Sequence, residues 1–116
     1  MLPASALSPE VTATTGPQPA AAAPVINSVV APENVATVLI TLPTLDANGA
    51  PLTELNQVEL FYDIASMAGQ AADALRAAGK SSVITPITLA QAGQAITVTV
   101  PGLAYATEYF FDADVS

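Results

Sequence analysis

Ile96–Val115 reads ITVTVPGLAYATEYFFDADV, and this stretch decides how the rest of the chain is read. Ile96, Val98 and Val100 alternate with Thr97 and Thr99. Successive side chains leave a strand on opposite sides, so a period of two marks a strand with one buried face. Pro101-Gly102 ends that run. Tyr109, Phe111, Ala113 and Val115 then share one face of a second predicted strand, with Glu108, Asp112 and Asp114 on the other.

Working outward, the same reading predicts further strands. Val25–Val30 is the first, closed by Ala31-Pro32-Glu33-Asn34. Val35–Leu42 is the second, with Val38, Ile40 and Leu42 as its inward set. The connection Pro43–Leu52 carries Asn48-Gly49, which supplies the positive φ of a tight turn. Asp46 and Asn48 in that loop are two oxygen donors where a calcium loop needs several, so the turn is the better reading. A third strand places Val58, Leu60 and Tyr62 on one face and Glu59, Phe61 and Asp63 on the other. Phe61 is an unusual choice for a solvated surface. It is either covered by the next segment or a contact residue.

Ser66–Lys80, SMAGQAADALRAAGK, breaks the strand pattern. Its alanines predict a short helix of two to three turns, with Ser66 as N-cap and Gly79-Lys80 at the C-terminal end. Ala71, Ala72, Leu75 and Ala78 make a narrow apolar stripe that would lie on Phe61. Both basic residues, Arg76 and Lys80, fall near its C-terminus, where they suit the helix dipole. Val83–Leu89 predicts a short strand that Pro86 confines to a sheet edge, and Ala92-Gly93-Gln94 turns the chain onward.

Composition narrows the functional classes. The chain has 116 residues, enough for one domain, and about half are apolar. A net charge of −8 argues against nucleic acid and anionic membranes, both of which are bound through Lys and Arg. With no cysteine and no histidine, the common nucleophile–base pairs and the usual zinc and copper ligands cannot be built. Asp112 and Asp114 share a strand face, but an exposed carboxylate pair has nothing to tune it, so a solvated acidic face is expected. No enzyme activity, cofactor or metal is expected. No apolar run is long enough to span a bilayer. The N-terminus, MLPASALSPEV, has neither a basic region nor a continuous apolar one. It is read as a true start without a secretory signal, on a protein made in a cytoplasm.

Gly102, Leu103, Thr107 and Tyr109 form G-L-x-x-x-T-x-Y, and Pro43–Leu52 forms P-x-x-D-x-x-G-x-P-L. Both resemble parts of a fibronectin type III domain: the corner between strands E and F, and the B–C loop. The resemblance covers about residues 24–116. It implies an all-β, immunoglobulin-like (fibronectin type III-like) sandwich with a short helical insertion and an extended N-terminal arm. It also implies a structural corner of Leu103, Thr107 and Tyr109, the leucine plugging the core and the tyrosine hydroxyl tied to upstream backbone. The family usually has a tryptophan near the end of strand B. This chain has none, and Leu42 stands closest to that place.

Residues 1–23 are Pro/Ala-rich and cannot bury a core, so a disordered tail is one reading of them. Within them Glu10, Val11, Thr12, Ala13, Thr14 and Thr15 alternate and are β-prone. Residues 8–15 resemble the family's last strand, G, followed by a proline-rich linker. A sandwich over 24–116 would reach strand F at Ser116 with no G strand of its own. The arm would then pair with strand F, either in its own domain or in a neighbour, at an interface with Phe110, Asp112 and Asp114. Such modules are frequent on tailed bacteriophage virions. The resemblance therefore implies a structural virion subunit (head decoration, neck or tail) that is oligomeric or part of a particle, with partners among its own copies or a capsid or tail protein. A pilus-like, strand-exchanged extracellular filament is the alternative. A carbohydrate- or cell-binding module, with Tyr105 and Phe110 as its aromatic surface, is a further one.

Overall fold

In a computed structural model, which describes residues 3–5, 8–10, 12, 13, 16 and 18–116, the chain is mostly β. Its six strands are β1 (Val25–Val30), β2 (Ala36–Thr41), β3 (Gln57–Asp63), β4 (Ser82–Pro86), β5 (Ala95–Val100) and β6 (Phe110–Val115). One short helix, α1 (Ala72–Ala77), lies between β3 and β4. The strands form two antiparallel sheets, ordered β1-β2-β5 and β4-β3-β6.

Alternation dictates what each sheet buries. Val38, Ile40, Val98 and Val100 from the first sheet share one core with Val58, Leu60 and Val115 from the second. Leu42, Leu55, Ile87 and Leu103 close its ends. Each such side chain contributes on the order of 1.5–3 kcal/mol on leaving water. Tyr109, Phe111 and Ala113 pack on this core but stay partly exposed.

The opposite face of β3 carries a second cluster. Phe61, Met67 and Leu75 are all buried, with Ala72 packed against them. Phe61 is thus covered by the segment that follows it. The cover is shorter than the sequence predicts: α1 begins after Ala71, not at Ser66. The Ser66 hydroxyl instead accepts from the Ala68 N–H within a turn. Gly69, at φ +78°, is far from helical geometry, so the chain cannot continue as a helix through it. The turn lets Met67 drop onto Phe61. At the other end Gly79 N–H donates to Arg76 O and Lys80 N–H to Leu75 O, the paired bonds of a Schellman motif.

The predicted strand at Val83–Leu89 is also shorter, ending at Pro86. Thr88 and Gln91 then bond reciprocally as a capping box on the 3₁₀ turn Leu89–Gln91.

Candidate interaction edge

Gln57 and Ser116 exchange two main-chain hydrogen bonds, each 3.0 Å. With the antiparallel register Glu59↔Asp114, Phe61↔Asp112 and Asp63↔Phe110, this sets which way every peptide of β6 points. Phe110, Asp112 and Asp114 spend their N–H and C=O groups on β3. Phe111, Ala113 and Val115 aim theirs at the outer edge, where no described residue pairs with them.

The other three sheet edges differ. On β4, Tyr62 N–H donates to Ser81 O, so residues opposite Gln57, Glu59 and Phe61 face outward. Pro86 is one of these, and its missing N–H blunts that edge. On β1 the register slips between Ile26 and Ser28, a bulge at Asn27 that Thr41 Oγ1 holds by donating to Asn27 Oδ1 at 2.6 Å. On β5, Leu42 N–H donates to Gln94 O, which turns Ala95, Thr97 and Thr99 outward. The inward side chains behind that edge, Val98 and Val100, are already buried.

Behind β6 the core is not closed. Val29, near the inward-facing Val38 in register, is 40% exposed. A cleft of about 410 Å³ separates it from Tyr109 and Phe111, with Leu103 and the Ala31–Glu33 turn at its walls. Phe110, on the opposite face of β6, is exposed. In this cleft apolar side chains of both sheets meet water.

The corner residues sit at one end of the cleft. Leu103 is buried in the core, and its N–H donates to Asn34 O at 2.9 Å. The Tyr109 hydroxyl accepts from the Ala104 N–H at 3.0 Å, and Thr107 Oγ1 donates to Tyr105 O at 2.9 Å. Ala106 takes φ +51° to close the loop. The Tyr109 ring leans on Tyr62 with centroids 6.4 Å apart.

The acidic face of β6 is only partly free. Arg76 Nη2 donates to Asp114, while its Nε lies 2.6 Å from Glu59 Oε1 and Nη1 2.8 Å from Asp73. Burial pushes the Glu59 carboxyl up, but hydrogen bonds from Arg76 and the Ser82 hydroxyl outweigh it and hold the pKa below its ordinary value. Lys80 Nζ pairs with Asp63 at 2.6 Å. The two cations therefore staple α1 and its exit to β3 and β6, a role that neither periodicity nor the dipole argument points to.

The arm contributes an anchor that the sequence reading passes over. The Gln18 carboxamide donates to Asp46 Oδ2 (3.2 Å) and Pro51 O (2.8 Å), and accepts from Thr53 N–H (3.0 Å) and Thr53 Oγ1 (2.7 Å). Its two donors and both acceptor sites are used. Ala47 N–H donates to Ala20 O and Ala22 N–H to Leu45 O, so residues 18–22 run along the β2–β3 loop and not free of the body. Asp46, buried, also accepts from Asn48 N–H and Ala50 N–H through Oδ1, which spends the carboxylate on shaping its own loop. Gln18 is the one residue with a hydrogen-bonding side chain between Gly16 and Pro24, which is the signal that marks it.

Farther out, Glu10, Thr12 and Ala13 are exposed and lie in no strand. Val11, Thr14 and Thr15 of the expected donor strand fall outside the described residues. Among the described residues no cluster of carboxylates is placed to hold a metal ion, and no helix is long and apolar enough to cross a membrane. In comparisons with known proteins the chain matches no family model, no curated protein and no solved structure.

Proposed function

We propose that this protein is a non-enzymatic structural subunit of a larger assembly, joined to its neighbours by β-strand addition at β6. The observation that carries the reading is the β6 edge itself. It offers the peptide groups of Phe111, Ala113 and Val115 beside a cleft where Val29, Tyr109 and Phe111 still meet water. An incoming strand would satisfy the first and cover the second, which is how an extended segment gains both affinity and register.

The order β1-β2-β5 against β4-β3-β6 is similar to strands A-B-E and C′-C-F of a fibronectin type III-like, immunoglobulin-like sandwich. On that reading the outer edge of β6 is the position of strand G. The alternating arm segment Glu10–Thr15 is the natural occupant. A cysteine-free, strongly acidic module of this kind fits a bacteriophage virion protein at the head, neck or tail, made in the host cytoplasm.

Light scattering over a concentration series tests the reading. The full chain should associate, and a chain lacking residues 2–15 should stay a folded monomer. A full chain that is monomeric throughout the series overturns it.

A further inference from the structure

The anchor at Gln18 restricts how the arm can meet β6. Gln18, Ala20 and Ala21 line a common cleft with Val115 and Ser116, so the arm enters the body at the C-terminal end of β6. Only Gly16 and Pro17 separate Thr15 from Gln18. Three peptide steps reach about 11 Å. The six residues of β6 extend about 20 Å. Within one chain the linker therefore reaches only the Val115 end of β6 while Gln18 is held, and residues 8–15 could lie on that edge only in the parallel sense. An antiparallel pair would need Thr15 near Phe110, beyond the reach of the linker while Gln18 is held.

Resting on the strand-addition reading, we propose that the arm is donated in trans. Residues Glu10–Thr15 of one copy pair antiparallel with β6 of a second copy, and the Gln18 clamp prevents each chain from completing itself in that way. Three features favour this over pairing in cis, whether parallel with the clamp held or antiparallel with it released. Glu10, Thr12 and Ala13 are exposed and unpaired within the single chain. A parallel pair is less stable per residue than an antiparallel one. The clamp holds by four side-chain hydrogen bonds and two main-chain ones, so freeing the arm from within carries a cost. In the donated strand Val11, Ala13 and Thr15 face the core with Phe111, Ala113 and Val115. Glu10, Thr12 and Thr14 face solvent, which keeps the one carboxylate of the segment out of the cleft. Such a contact joins unlike surfaces, so it builds rings or filaments.

The chain has no cysteine, so engineered pairs report without interference. Antiparallel pairing brings Thr14 of the arm near Phe110. Parallel pairing brings it near Asp114. Two full-length double variants, T14C/F110C and T14C/D114C, are oxidised at low and high concentration and run on non-reducing gels beside light scattering. The expected result is an interchain disulfide in T14C/F110C that grows with concentration, and little product in T14C/D114C. Inserting six Gly/Ser residues between Gly16 and Pro17 should convert the T14C/F110C product to an intrachain one, because the linker then spans β6. An interchain disulfide in T14C/D114C overturns the antiparallel arrangement while leaving strand addition between copies intact, and an intrachain one on a monomeric chain overturns donation in trans and the strand-addition reading with it. Association with no disulfide in either variant overturns pairing of the arm with β6 and leaves only assembly through another surface. Monomers with no disulfide overturn this inference and the strand-addition reading together.

Discussion

Arg76 Nε lies 2.6 Å from Glu59 Oε1, joining α1 to the middle of β3 at a carboxylate that is only 6% exposed. The same guanidinium sits 5.7 Å from the centroid of Phe61 and reaches Asp114 on β6. One side chain thus holds the helix, the central strand and the edge strand of this sheet together. Replacing Arg76 by Ala leaves Glu59 buried without its cation, with the Ser82 hydroxyl still donating to it. The half-exposed arginine limits the loss through solvent screening, so the expected cost is about 2 kcal/mol. Arg76→Lys should retain part of that, since lysine keeps the charge but not the fork. Urea melts of the three proteins check the order.

Acid should weaken the fold in a defined direction. Asp46 is held below its ordinary carboxylate value chiefly by the Ala50 N–H, and Asp63 chiefly by Lys80. For Glu59 the bonds from Arg76 and Ser82 overcome the upward push of burial. A depressed native pKa means that the unfolded chain binds more protons, so stability rises with pH across that interval. The contribution is complete above the unfolded values and is lost as pH falls through the native ones. The urea midpoint should be flat between about pH 7 and 5.5 and fall below about pH 4. In Glu59→Gln the fall should be shallower.

The corner before β6 separates a hydrogen bond from a packing term. Tyr109→Phe removes the acceptor of the Ala104 N–H and should cost about 1 kcal/mol at this exposed site. Leu103→Ala opens a hole at the end of the core and should cost about 2–4 kcal/mol. Thermal melts with both variants give the ratio directly.

Met67→Ala should cost about 2–3 kcal/mol, because Met67 is 1% exposed against Phe61 and Leu75. Hydrogen exchange should show the loss concentrated in α1, with β2 and β5 protected as before. Equal deprotection of β2 would mean that the two clusters are one cooperative core.

Asp46→Ala removes the acceptor of Asn48 N–H and Ala50 N–H and one partner of Gln18. The Asn48-Gly49 turn and the arm anchor should loosen together. Limited proteolysis should then cut within residues 1–23 faster than in the native chain, with a smaller effect on the melting temperature than Arg76→Ala.

What the amino-acid order determines by itself is local. Alternation at 35–42, 58–63, 96–100 and 109–115 is enough to place strands and choose the faces that line the main core, because a period of two admits one such set per strand. Gly79 marks the end of the helix, and Phe61 on the wrong face of β3 signals that something covers it. What only the tertiary structure decides depends on groups far apart in the chain. Arg76 finds Glu59 and Asp114, 17 and 38 residues away, and no periodicity encodes that meeting. Gln18 looks like one more linker residue until folding brings the loop at Pro51 and Thr53 beside it. The direction in which the peptides of β6 point follows from the register with β3, which is a property of two strands and not of either one. That register leaves the main chain of Phe111, Ala113 and Val115 unpaired among the described residues.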